Sequence, residues 1–141
     1  MSTETQTPPG PAQLVADALQ ALKIETVHNQ ACMDETRHWL EHPGLDDPSL
    51  VDLTALPFVT MDNPDSRDLD QALLIERHDS TGYRVRYALA DAAYYVPPGS
   101  ALFDEALARG TTYYTPILAV PMLPVELSEG LVSLNPHVDR R

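Results

Sequence analysis

Four aspartates, Asp62, Asp65, Asp68 and Asp70, fall within nine residues, and Arg67 is the one cation among them. All their donors are oxygens, so the ion that suits them is a hard divalent cation such as magnesium. Without a cation, carboxylates this close repel and raise one another's pKa. Asp68 and Asp70 are two positions apart, which in extended backbone puts both side chains on one face. An EF-hand calcium loop fits poorly, because the glycine at its sixth position and its closing glutamate are missing. Asn63, Pro64, Asp65 and Ser66 are also ordinary turn residues, so the spacing by itself suits a solvated loop as well as a metal site.

The elements that must position these residues follow from the pattern around them. Phe58 to Asp62 alternates like a strand and breaks at Asn63-Pro64, so the short loop can fold Asp62 back beside Asp68 and Asp70. Ala72 to Arg77 reads as the next strand, and His78-Asp79-Ser80-Thr81-Gly82 as a turn. Tyr83, Val85, Tyr87 and Leu89 then alternate with Arg84, Arg86 and Ala88. An antiparallel hairpin continuing the strand of Asp62 is expected. Arg84 and Arg86 share a face that is either solvated or part of an RNA track.

Upstream, residues 1–11 read as a disordered tail. Leu14, Val15, Ala18, Leu19 and Leu22 make one apolar helical stripe over Gln13 to Lys23, and a second helix is expected over Met33 to Glu41. His38 and His42 have a spacing that metal-binding histidines use, but no third ligand accompanies them. Residues 12–50 thus form a helical lead-in. Downstream, Ser100 caps a helix that runs through Arg109 and stops at Gly110. Thr111 to Thr115 has strand composition, and Val125 to Leu134 holds one short helix. The fold class is α+β, an antiparallel sheet with flanking helices.

At 141 residues, 43% of them hydrophobic, the chain can bury one modest core. No apolar run is long enough to span a membrane, and Met1 to Gly10 lacks the character of a signal peptide. Cys32 is the sole cysteine, which excludes an internal disulfide and suits a reducing compartment; the cytoplasm is the expected location. A net charge of −12 argues against a surface that attracts phosphate everywhere.

The segment Asp52-Leu53-Thr54-Ala55-Leu56-Pro57-Phe58-Val59-Thr60-Met61-Asp62, running on to Arg67-Asp68-Leu69-Asp70, resembles the opening of the catalytic domain of the ribonuclease II / ribonuclease R (RNB) family. Further blocks follow in family order. They are Tyr87 to Val96, Pro98 to Leu102, Arg109 to Pro116, Val120 to Pro124, Leu127-Ser128, Leu131 to Pro136, and Asp139-Arg140. The resemblance implies a magnesium-dependent (or manganese-dependent) 3′-to-5′ exoribonuclease that hydrolyses single-stranded RNA to nucleoside 5′-monophosphates. It maps the catalytic carboxylates onto Asp62, Asp68 and Asp70, and makes these three and Gln71 the metal ligands. It places at Tyr114 an aromatic that packs on the terminal nucleotide of the RNA.

Two departures from the family pattern bear on the chemistry. Gln71 stands where the family has a fourth aspartate, and a neutral amide oxygen should hold magnesium less tightly. The family's later catalytic residues, its second stacking aromatic and its S1 domain lie outside these 141 residues. Residues 51–141 therefore read as the amino-terminal part of an RNB domain, with the remainder supplied by the same or another chain. The chain could be a fragment, one piece of a split enzyme, or a degenerate member. The alternative function is an inactive RNB-like RNA-binding or scaffold protein.

Overall fold

Helix formation begins where the chain offers its orphan amides a partner or dispenses with one. The computed structural model describes residues 10–141, so most of the tail expected over residues 1–11 lies outside it. Pro11 itself is the first residue of helix α1 (Pro11–Ala21), a position where its missing N–H and fixed φ cost nothing. Helix α2 (Gln30–Glu41) starts three residues before Met33, because the Asn29 side chain accepts from the Cys32 N–H at 2.9 Å. It ends at His42, ahead of Pro43 and Gly44.

Strands β1 (Gln71–Arg77) and β2 (Tyr83–Leu89) pair antiparallel from Gln71↔Leu89 to Arg77↔Tyr83. The turn is closed by Asp79, whose carboxylate accepts from the Thr81 N–H at 2.8 Å and its hydroxyl at 3.0 Å. The expected strand through Asp62 shrinks to one bridge, Val59 to Leu73, with both backbone bonds made at 2.8 and 2.9 Å. Pro57 and Pro64 bracket that run, and neither can donate to a ladder. Ala72 and Leu74 are buried on one face of the hairpin. On the other face Ile75, Tyr83, Val85, Tyr87 and Leu89 remain exposed.

After β2 come α3 (Ala92–Tyr95), α4 (Ala101–Arg109) and a second two-stranded sheet, β3 (Tyr113–Tyr114) with β4 (Ala119–Val120). Helix α4 is capped as its sequence predicts. Ser100 accepts from the Phe103 N–H at 3.0 Å, and Gly110 closes the helix at φ 72°, the left-handed region glycine enters without strain. Glu35 of α2 adds a second cap that periodicity does not reveal: its two oxygens accept from the N–H groups of Ala101 and Leu102 at 2.8 and 2.9 Å. A carboxylate there meets the positive end of the helix dipole.

The short helix expected within Val125 to Leu134 is a π-helical turn, Glu126–Leu131. Its wider coil turns Leu127 and Leu131 inward together, and the Val132 N–H reaches Leu127 O at 2.8 Å. The core joins Cys32 of α2, Tyr95, Leu102 of α4, Leu123, Leu127, Leu131 and Val132. Trp39, Tyr94 and Tyr95 pack ring against ring at its edge. Arg141 closes the structure from the carboxyl end. Its guanidinium lies 3.7 Å from the Tyr94 ring centroid and bonds Asp47, Asp91 and the Gly44 carbonyl. Helices together with small antiparallel sheets make this an α+β protein.

Candidate metal and RNA site

The carboxylate loop is held at its backbone and open at its side chains. Leu69 is buried, while Asp68 and Asp70 on either side of it are exposed, so the one inward anchor turns both aspartates outward. The Asp70 carbonyl accepts from the Ala90 N–H at 2.9 Å, which sets that residue at the head of β1. Asp62 and Asp65 are exposed too. Asp62 shares a hollow of about 230 Å³ with Gln71, Val59, Met61, Ala72, Leu73 and Tyr87.

Gln71 lies on the open face of β1, where its side-chain oxygen accepts from the Tyr87 hydroxyl. The register explains the contact. Tyr87 pairs with Leu73, which puts it diagonally across from Gln71 on the same face. The sequence pattern starts this strand at Ala72 and leaves Gln71 in the carboxylate loop, so it does not join the two residues; in the structure Gln71 is the first residue of β1.

Three of the sequence-predicted ligands, Asp62, Asp68 and Asp70, are not drawn into one cluster. Among the described residues no group of three or more His, Cys, Asp or Glu is close enough to hold a metal ion. The structure joins Asp62 to Gln71 in the hollow and sets Asp68 beside Asp70 across Leu69. Donor chemistry fits a hard divalent cation, since every candidate offers oxygen. The assembled geometry is absent, so a cation would have to gather the loop around itself.

The use made of other aspartates sharpens this picture. Asp52 accepts from the Thr54 N–H and hydroxyl, which hold it below the usual carboxylate range. Asp79 is treated in the same way by Thr81. Asp47 is lowered by Ser49 and then by Arg141. Among the described residues no such partner, neutral or cationic, bonds the carboxylates of Asp62, Asp65, Asp68 or Asp70, and Arg67 pairs with none of them. The carboxylates of these four make no bond that holds the fold.

Tyr114 stands on β3, paired with Ala119, and is 76% exposed. Its neighbour Tyr113 turns inward and donates to the Arg109 carbonyl at 3.3 Å. A second, wider cleft of about 820 Å³ runs between residues 45–60 and the carboxyl-terminal segment 134–141. His38 and His42 stack on each other at 4.7 Å, and the His42 ring bonds the His38 carbonyl. Both are exposed, and among the described residues neither belongs to a group that could hold a metal ion.

Comparison with known proteins places this frame. The RNB domain model matches residues 50–141, and the chain belongs to the RNB family. It is 53% identical over 90 residues to ribonuclease R of Vibrio parahaemolyticus, an alignment covering 64% of this chain and 11% of that protein. The apo structure of Mycoplasma genitalium RNase R superposes with a TM-score of 0.77 at 32% identity, over 92% of this chain and 20% of that one. The same enzyme in complex with ribose-methylated single-stranded RNA gives 0.68 over 87% of this chain. The chain thus spans between a tenth and a fifth of the length of these relatives, and corresponds to the amino-terminal part of the catalytic domain.

Proposed function

We propose that this chain carries the carboxylate site of a 3′-to-5′ exoribonuclease that hydrolyses single-stranded RNA to nucleoside 5′-monophosphates. The observation that carries the reading is the set of aspartates left without structural duty on an RNB-family frame. Asp62, Asp68 and Asp70, with Gln71, would hold magnesium, or manganese in its place. Bound there, the ion would polarise the scissile phosphate and ready a water for in-line attack. Asp70 is the carboxylate on which turnover should depend most. Tyr114 offers its exposed ring to the terminal nucleotide, and stacking of that kind tolerates any base. The RNA complex of the Mycoplasma genitalium relative supports RNA as the ligand class. The rest of the catalytic domain, from the same or another chain, would complete the RNA path.

Residues 51–141 would form the front of that domain, and residues 12–50 a helical lead-in to it. A cytoplasmic location belongs to the same reading. It is supported by the free, buried thiol of Cys32, and no helix among the described residues is long and apolar enough to cross a membrane.

The test is Asp70→Asn in the full-length protein, a nearly isosteric change that removes one charge. Hydrolysis of labelled single-stranded RNA should fall by a factor on the order of 10²–10³, the size of effect seen when one electrostatic stabiliser of a transition state is lost. RNA affinity should stay close to wild type. Undiminished turnover would remove Asp70 from the chemistry. A second reading, an inactive RNB-like RNA-binding or scaffold protein, is favoured by one observation: the neutral Gln71 has its oxygen engaged by Tyr87. A wild type that binds RNA but hydrolyses none of it at any magnesium concentration would establish that reading instead.

A further inference from the structure

Ser133 is fully buried, yet it spends its hydroxyl on a loop more than sixty residues away in sequence. Its hydroxyl accepts from the Leu69 N–H at 2.9 Å and donates to the Arg67 carbonyl at 2.6 Å. The next residue continues the contact, with the Leu134 N–H reaching the Leu69 carbonyl at 2.7 Å. Three hydrogen bonds therefore grip the backbone on both sides of Asp68 and directly before Asp70. Ser133 is itself held. It follows the π-helical turn, and the Arg140 Nε donates to the carbonyls of Gly130 and Ser133 at 3.2 and 3.1 Å.

We propose that Ser133 is a positioning residue, whose hydroxyl sets the direction in which Asp68 and Asp70 present their carboxylates. This rests on the reading of those two aspartates as metal ligands. The serine touches neither metal nor RNA, being closed off from solvent. It acts by holding the peptide units that carry Asp68, while the buried Leu69 side chain pins the same stretch from the apolar side. A loop with four carboxylates repels itself. The backbone bond it makes within itself, from the Ser66 N–H to the Asn63 carbonyl at 3.0 Å, leaves Asp68 and Asp70 unheld. The clamp holds both from outside the loop. One hydroxyl can do this because it both donates and accepts, matching one free carbonyl and one free N–H. Alanine would leave both of those groups unpaired in the interior.

The experiment compares Ser133→Ala with Thr36→Ala in the full-length protein. Thr36 is an equally buried hydroxyl, bonded to the Cys32 carbonyl within α2, and serves as the control for a purely structural loss. Amide hydrogen exchange and manganese titration by calorimetry are read on wild type and both variants. Ser133→Ala should speed exchange at Leu69 at least ten-fold beyond any change across the core amides, and weaken manganese binding about ten-fold. Thr36→Ala should lower the melting temperature and change neither. Equal effects of the two variants on residues 67–70 and on manganese would overturn the proposal. If Ser133→Ala does not fold, Ser133→Cys takes its place with the same two outcomes, its thiol filling the space with far weaker hydrogen bonding. A wild type that binds no manganese would sink the metal reading of the carboxylates. Exchange at Leu69 would still decide whether Ser133 holds the loop.

Discussion

Replacing Arg109 by alanine should loosen the link between α1 and α2 from α4. The Arg109 side chain is 8% exposed and its partner Glu105 is 15% exposed, so this ion pair is largely withdrawn from water. Two guanidinium nitrogens donate to the same Glu105 oxygen at 2.8 and 3.0 Å. Nη1 donates to the carbonyls of Glu25 at 2.9 Å and, at the longer 3.4 Å, Pro121, while Nη2 also reaches that of Val27 at 2.6 Å. One side chain thus bonds α4 to the link between α1 and α2. Hydrogen bonds to charged groups are each worth about 1.5–3 kcal/mol, but bonds sharing one group do not add. Removing one partner of a buried ion pair costs about 3–5 kcal/mol, because the other charge stays behind. Asn29 and His28 remain beside Glu105 to receive part of that charge, which favours the lower end, near 3 kcal/mol. Against a total stability of about 5–15 kcal/mol this is a large share. The assay is urea unfolding at pH 7, followed by circular dichroism, with amide exchange over residues 25–29 as the local readout. Arg109→Lys keeps a charge near Glu105 but cannot span to the two carbonyls, and should lose an intermediate amount. A loss below about 1 kcal/mol, the worth of an exposed pair, would refute the reasoning.

Gln71→Asp should raise metal affinity and activity at limiting magnesium. The gain should shrink as magnesium saturates, since mass action compensates a weaker site; superimposable magnesium titrations would make the residue incidental. Tyr114→Ala should weaken the hold on the RNA 3′ end by about 1–3 kcal/mol if the ring stacks on a base, measured as the change in Kd for a short single strand. An unchanged Kd would return Tyr114 to an ordinary strand position. Stability should also fall on acidification through His28. Burial first, then the Arg109 charge, holds this imidazole below its ordinary value despite Glu105, and its Nε2 is buried without a partner among the described residues. Below about pH 6.5 the unfolded chain takes up that proton before the folded one does. Stability is therefore full above that pH and lost as pH falls towards the lowered folded value. The urea midpoint of His28→Asn should change less than wild type between pH 7 and 5, and parallel curves would dismiss His28 as the titrating group.

The family and most of the local elements are legible in the sequence, although the strand expected through Asp62 shrinks to one bridge. Ser100 and Gly110 mark the ends of α4 by capping chemistry, and the alternation of Tyr83 to Leu89 marks β2, because caps and periodicity act within a few residues of chain. The acidic spacing likewise marks Asp62, Asp65, Asp68 and Asp70, and the family resemblance picks Asp62, Asp68 and Asp70 from among them. Relations between distant residues come only with the assembled fold. Glu35 caps a helix that starts sixty-six residues later, Arg109 reaches back to Glu25, and Ser133 grips the backbone around Asp68. Tyr87 meets Gln71 only through the register of the hairpin. A hydroxyl, guanidinium or carboxylate carries no mark in sequence of which buried carbonyl or amide it will satisfy. That choice is made when packing removes water from all of them at once, and each must find its partner among whatever the fold has brought within reach.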